Sequence, residues 1–235
     1  MVVFCIPVIP FLSPDDPFPP VDLALQVPNG LLAAGGDLTP ERLLAAYREG
    51  VFPWFGDEDP ILWWSPDPRM VLYTNEVHVS RSLNKVIRAN RFRLTFDQAF
   101  REVIKGCAAA RRDQEGTWIT QAMEEAYVRL AELGHAHSVE AWEGDTLVGG
   151  LYGVALGRMF FGESMFTRVT DASKVTLVTL ARQLERWRMP LIDCQMSTPH
   201  LASLGARDVP RTDFLAEVRY LVQQPVVPAP WRFDL

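Results

Sequence analysis

The chain has 235 residues, enough to bury a substantial core either as one large domain or as a large and a small one. It carries 23 Lys and Arg against 29 Asp and Glu, a formal charge of −6, which argues against bulk attraction to nucleic acid and leaves any phosphate contact to a local basic patch. The same balance favours cationic substrates. Cys5, Cys107 and Cys194 are widely separated and make neither a disulfide framework nor a paired metal spacing, which points to a reducing compartment and so to the cytoplasm. The apolar opening "MVVFCIPVIPFLSP" lacks a basic n-region, is cut by prolines and is too short to span a bilayer, so neither a signal peptide nor a membrane helix is expected.

Up to Pro68 the chain is rich in proline and glycine, with one helical signal in "DLTPERLLAAYREG". There Asp37 or Thr39 serves as N-cap, Pro40 occupies the first turn and Gly50 terminates. The run "FPWFGDEDPILWWSPDPRMVLY" crowds prolines between Trp54, Trp63 and Trp64 and reads as a rigid connection. A boundary near Pro68 divides the chain into a small N-terminal domain, residues 1–68, and a larger domain, residues 69–235. Beyond it, "SRSLNKVIRANR", "DQAFREVIKGCAAARR" and "TQAMEEAYVRLAELG" read as three helices, the last closed by Gly134. "HSVEAW", "TLVGGLYGVA" and "RMFFGESMF" follow as strands with short turn-type breaks, the pattern of an antiparallel meander. "DASKVTLVTLARQLERW" is a helix with Leu177, Leu180, Ala181, Leu184 and Trp187 on one apolar stripe; "PLIDCQM" is a strand and "DFLAEVRYLVQ" a last helix. The order indicates an α+β fold, with helices packed on a mainly antiparallel sheet.

Within "GRMFFGESMF", regular alternation puts Met159, Phe161, Glu163 and Met165 on one face, so a carboxylate closes an otherwise oily surface. Gly162 is a point at which a bulge would re-aim Glu163. Desolvating an unpaired carboxylate is costly, and the escapes are a raised pKa, a hydrogen-bonding partner or a cationic ligand; an ion pair with Arg158 or Arg168 is the structural alternative. On "LIDCQM", Asp193 and Gln195 share a face and Ile192 and Cys194 the opposite one. Two acids and an amide on neighbouring strands would hold an ammonium or guanidinium group, whereas a solvated sheet edge would hold nothing.

The remaining candidates are less specific. Cys194 has no histidine near it in sequence and reads as a packed thiol. His135 and His137 would face one side of a strand, but no third ligand stands at a metal-binding spacing, and His78 and His200 are isolated. Trp54 and Trp118 sit where loops present aromatic faces to a nucleobase; core packing is the simpler account, and is the one given for Trp63 and Trp64. Arg81, Lys85 and Arg88 share a helix face that is either a solvated surface or the best local place for a phosphate backbone. The strand-to-helix connection "SMFTRVTDASKV" has no glycine, so the pyrophosphate-binding turn of acyl-CoA-dependent N-acyltransferases is missing.

Taken together, "GLLAAGGDLTPERLLAAYREGVFPWF", "ILWWSPDPR", "EGTWIT", "GHAHSVE", "GGLYGV", "FFGESMF", "DASK" and "LIDCQ…HLASLGA" closely resemble the leucyl/phenylalanyl-tRNA–protein transferases, in order and without large gaps. The resemblance implies a small N-terminal α/β domain and a larger domain similar to the acyl-CoA N-acyltransferase fold, with aminoacyl-tRNA in place of acyl-CoA and no cofactor or metal. It implies transfer of leucine or phenylalanine, less readily methionine, to the N-terminal α-amine of proteins beginning with arginine or lysine, which marks them for degradation. By the same resemblance, Leu151, Phe160, Met165 and Leu180 line the donor's side-chain pocket. Asp193, with Gln195, orients and helps deprotonate the amine, and Glu163 stands where pocket and acceptor meet. Trp54 and Trp118 hold the terminal adenosine, and Arg81, Lys85 and Arg88 meet the acceptor-stem phosphates. Asp193→Ala and Glu163→Ala are then expected to lower turnover far more than folding stability. The rivals are an N-acyltransferase with another activated donor and a non-catalytic reader of basic N-termini.

Overall fold

The computed structural model describes residues 9–112 and 119–233; Cys5 and Trp118 lie outside the described residues. The chain opens with β1 (Phe11–Leu12), β2 (Leu31–Gly35), α1 (Pro40–Arg48), β3 (Phe52–Pro53) and β4 (Leu62–Trp64). Thr39 caps α1 by accepting from the Arg42 N–H at 3.3 Å, Pro40 costs nothing at a position without an intrahelical donor, and Gly50 at φ +68° lets the chain leave the helix. The strands form a four-stranded sheet in the order β1-β2-β4-β3. The proline-rich run expected to be a connection therefore supplies β3, β4 and the following β5 (Arg69–Tyr73). Pro53 is tolerated because β3 is an edge strand, where a missing N–H costs no ladder bond.

After β5 come α2 (Arg81–Arg88), β6 (Arg93–Phe96), α3 (Phe100–Arg112), α4 (Gln121–Glu132), β7 (Ala136–Glu143), β8 (Thr146–Leu156) and β9 (Met159–Thr167). Then follow α5 (Ala172–Arg186), β10 (Leu191–Gln195), α6 (Pro199–Ala202), β11 (Arg207–Val209) and α7 (Arg211–Leu221). A seven-stranded sheet runs in the order β11-β5-β10-β9-β8-β7-β6. The expected meander is there in β7, β8 and β9, and every neighbouring pair is antiparallel except β9 with β10, which α5 joins as a crossover. The short strands β2, β5, β6 and β11 escaped the sequence pattern.

Helices cover both faces of this sheet. One core gathers α1, α3, α4, α7 and the small sheet; the other gathers α2, α5 and Trp231 of the C-terminal tail. Alternation along β9 sends Met159 and Phe161 into the first core and Phe160 into the second. On α5 the stripe of Leu177, Leu180, Ala181 and Leu184 is buried in the second, with Trp187 half-buried at its end. Among the described residues no helix is long and apolar enough to cross a membrane.

Candidate active site

The register of β8 on β9 slips once. Tyr152 pairs with Ser164 and Gly153 with Gly162, so Glu163 has no partner and forms a β-bulge. The bulge draws the backbone of β9 against β8 at a glycine: a Cβ on Gly153 would stand 2.2 Å from the Phe161 carbonyl oxygen. It also resets the alternation. Glu163 stays on the side of Phe161, whereas Met165 moves to the opposite side, with Phe160. The unbroken row of Met159, Phe161, Glu163 and Met165 expected from sequence is thus interrupted by the extra residue.

Strand β10 pairs with β9 only from Leu191 to Asp193, opposite Met159 to Phe161. Its register on β5 then shifts between Asp193 and Gln195, and Gln195 takes φ +63°, a left-handed conformation that a side chain rarely adopts. Where the pairing ends a cavity of about 620 Å³ opens, bounded also by Phe52, Pro53 and Trp54 of the N-terminal region.

One wall is apolar. Leu151 and Met165 are direct cross-strand partners, and Phe160, Leu177 and Leu180 close the surface beside them. All four pocket residues expected from the resemblance, Leu151, Phe160, Met165 and Leu180, meet here. Trp54 reaches the cavity as well, its ring edge-on to Trp64 at 5.3 Å, while the Trp64 indole N–H donates to the Trp54 carbonyl at 2.7 Å.

The other wall is polar. Glu163 Oε1 lies 2.7 Å from Tyr47 Oη of α1 and accepts from Gln195 Nε2 at 2.8 Å; its Oε2 lies 2.9 Å from Tyr127 Oη of α4. The two hydroxyls are 2.5 Å from each other. Burial pushes the Glu163 carboxyl up to about 7 against the opposing hydrogen bonds from Tyr47 and Tyr127; the neighbouring Asp193 adds to the rise and Gln195 opposes it. The tyrosines are themselves held well above the usual phenol value, first by burial and then by the Glu163 charge.

Asp193 is also at the site, but its charge is already matched. Arg69 of β5 donates from Nε to Oδ1 at 2.8 Å and from Nη2 to Oδ2 at 2.7 Å, and both side chains are fully buried. Oδ1 accepts in addition from the backbone N–H of Gln195 at 2.8 Å. The acid expected to face a cationic ligand is therefore one half of an internal ion pair, because a buried carboxylate cannot go uncompensated. Among the described residues Glu163 has no such arginine: Arg158 donates to the Trp187 carbonyl at 2.5 Å and Arg168 to that of Leu147 at 3.2 Å.

Cys194 packs against the second core, and burial raises its thiol well above the usual range. His137 is buried, with Nδ1 2.8 Å from Asp97 Oδ2 and its ring stacked on Trp231 at 3.7 Å. Arg81, Lys85 and Arg88 lie exposed on α2 and do not line the cavity. Sequence reasoning missed Tyr47, Tyr127 and Arg69. Tyr47 sits four residues after Leu43, where it reads as one more packing aromatic; Arg69 alone carried a signal, as a charge beside "MVLY".

A model of the leucyl/phenylalanyl-tRNA protein transferase matches residues 71–219, and a model of that transferase's N-terminal domain matches residues 36–67. The chain belongs to the leucyl/phenylalanyl-tRNA protein transferase family. It is 62% identical over 217 residues to the leucyl/phenylalanyl-tRNA–protein transferase of Thiobacillus denitrificans, covering 92% of this chain and 95% of that one. It is 58% identical over 226 residues to that of Nitrosospira multiformis, covering 96% and 97%, and 59% identical over 223 residues to that of Stutzerimonas stutzeri, covering 94% and 98%. Among solved structures, L-PGS from Bacillus licheniformis matches with a TM-score of 0.41 at 9% identity, covering 72% of this chain and 54% of that one, a likeness too slight to carry an argument.

Proposed function

We propose that the cavity holds the aminoacyl end of an aminoacyl-tRNA and passes leucine or phenylalanine, less readily methionine, to the N-terminal α-amine of a protein beginning with arginine or lysine. The observation that carries this reading is the joining of an apolar wall, Leu151, Phe160, Met165 and Leu180, to a polar edge of Glu163 and Gln195 in one cavity. Its size suits a side chain with a terminal nucleoside. Unbranched or flexible lining admits Leu, Phe and Met and crowds a β-branched side chain; such misfits are worth about 1–3 kcal/mol, so selection is real but incomplete. The acidic balance of the chain favours a basic acceptor.

In this reading the amine nitrogen attacks the ester carbonyl, the bond to the ribose oxygen breaks, and that oxygen takes up the proton the amine gives up. The ester is already activated, so no covalent enzyme intermediate is needed, and positioning alone can supply about 7–11 kcal/mol of the barrier in favourable cases. Gln195 spends an amide hydrogen on Glu163, which leaves its carbonyl oxygen for the incoming amine. Asp193, with both oxygens engaged by Arg69, acts by fixing the Gln195 backbone. Trp54, with Trp118, stacks on the terminal adenosine, and Arg81, Lys85 and Arg88 meet the stem phosphates. The parallel pair β9 and β10, parting beyond Asp193 after an α5 crossover, supports a larger domain of N-acyltransferase-like fold from residue 69, with residues 1–68 as the smaller domain. The product would be marked for degradation in the cytoplasm.

Incubation with leucyl-tRNA and a peptide beginning with arginine should give a product one leucine heavier. An unchanged peptide mass with fully charged tRNA, or equal transfer to a peptide whose N-terminus is acetylated, contradicts the proposal.

A further inference from the structure

Tyr47, Tyr127 and Glu163 form a closed triangle of contacts. Tyr47 Oη is 2.5 Å from Tyr127 Oη and 2.7 Å from Glu163 Oε1, and Tyr127 Oη is 2.9 Å from Glu163 Oε2. Each contact at these distances needs one hydrogen, and the two phenols bring one each. A carboxylate brings none. With Glu163 ionised, two hydrogens must serve three contacts. Either the two phenolic oxygens face each other at 2.5 Å with only lone pairs between them, or one of the two phenol–carboxylate contacts, at 2.7 and 2.9 Å, has no hydrogen in it. The count closes only if the acid supplies the third hydrogen.

We propose that Glu163 is carried as the neutral carboxylic acid in a ring of three hydrogen bonds. Its Oε2–H donates to Tyr127, Tyr127 donates to Tyr47, and Tyr47 donates to Oε1, which accepts a second time from Gln195. The surroundings agree. Among the described residues, the ionisable groups facing Glu163 are Tyr47 from α1, Tyr127 from α4 with Tyr152 of β8 behind it at 5.6 Å between ring centroids, and Asp193 from β10, whose charge Arg69 of β5 matches. Helix α3 meets β9 through Gly106 against the Phe166 ring. Burial pushes the same carboxyl up to about 7.

The catalytic consequence rests on the acceptor reading above. An α-amine ordinarily titrates at about 7.7–8.0, and only its free base attacks a carbonyl. A carboxylate in the cavity would stabilise the ammonium and hold the amine in its unreactive form; a neutral acid does not. Tyr47 and Tyr127 are then positioning residues that hold the protonated acid in place with its carbonyl oxygen turned to Gln195, while burial keeps it protonated.

The full chain, labelled with 13C at the glutamate side-chain carboxyl, is titrated by NMR, and Glu163 is assigned as the resonance missing in Glu163→Gln. A midpoint at about 7 or above is expected, and one clearly below that overturns the proposal. Transfer by Glu163→Gln, whose amide can replace every hydrogen bond of the neutral acid, is expected to exceed that of Glu163→Ala by about tenfold or more. If it falls as far as in Glu163→Ala, negative charge is needed and the proposal fails. Absence of transfer by the parent chain with an unchanged titration would count against the acceptor reading alone.

Discussion

Replacing Arg69 by methionine leaves Asp193 without its partner at a place that water does not reach. Both side chains are fully buried, and the guanidinium lies between the rings of Phe52 at 4.7 Å and Phe214 at 4.6 Å while donating to the Gly50 carbonyl at 3.1 Å. Breaking such a pair from one side costs about 3–5 kcal/mol, because the remaining charge is desolvated without compensation. Asp193→Leu should cost as much from the other side. The double replacement leaves no buried charge, only the Gln195 N–H and the Gly50 carbonyl short of a partner, so the two losses should overlap by about 2 kcal/mol or more. Urea denaturation of the parent, both single variants and the double variant at pH 7 measures this overlap from the midpoints at constant m. Additive losses of less than about 1 kcal/mol each would mean a pair that behaves as a solvated one, and would refute the reasoning. The result also separates structure from catalysis. A loss of turnover in Asp193→Ala, expected from sequence to spare stability, now has to be read against the stability that this ion pair contributes.

Glu163→Gln should change the pH dependence of stability. With a native carboxyl at about 7 and an ordinary value of 4.5, the native state keeps between those values a proton that the unfolded chain releases. Stability from this group is therefore fully present below pH 4.5 and falls by about 1.4 kcal/mol per unit as pH rises to 7, roughly 3 kcal/mol in all. The variant should lack this slope in urea denaturation from pH 5 to 8, and a parent-minus-variant difference that does not vary with pH would contradict it. Gly153→Ala must move backbone, since its Cβ would stand 2.2 Å from the Phe161 carbonyl oxygen. A loss of about 1–3 kcal/mol by thermal denaturation is expected, with transfer impaired at temperatures where the variant is folded, and an unchanged Tm would refute the role given to the bulge. Arg81→Gln with Lys85→Gln, both exposed, should leave folding unchanged. The slope of log kcat/KM for aminoacyl-tRNA against log salt should flatten by roughly 0.7–0.9 for each phosphate that is no longer neutralised; an unaltered slope would remove α2 from the tRNA surface.

Much of the α+β order was legible because its long elements carry strong periodicity and clear stops. Helix α5 declared its stripe, α1 its Thr39 cap, and β7 to β9 their alternation and short turns. What escaped were strands of two to five residues, such as β3 and β5, where prolines and a buried arginine mask the pattern and pairing with distant segments decides the outcome. At the site, Leu151, Phe160, Met165 and Leu180 line one cavity. Alternation alone failed at Met165, since one unpaired residue in β9 reverses every side chain beyond it. The partners of the two acids were invisible for a different reason. Tyr47, Tyr127 and Arg69 lie 116, 36 and 124 positions from Glu163, Glu163 and Asp193, and nothing local distinguishes the two tyrosines from ordinary packing residues.

The account turns on one cavity accepting an esterified amino acid by the shape of its oily wall and delivering it to an amine at its polar edge. Mass spectrometry of an arginine-initiated peptide, run in parallel with leucyl-, phenylalanyl-, methionyl- and isoleucyl-tRNA, reads both parts at once. The peptide should gain leucine and phenylalanine readily, methionine more slowly and isoleucine least. No gain from any of the four, or isoleucine transferred as fast as leucine, would contradict it.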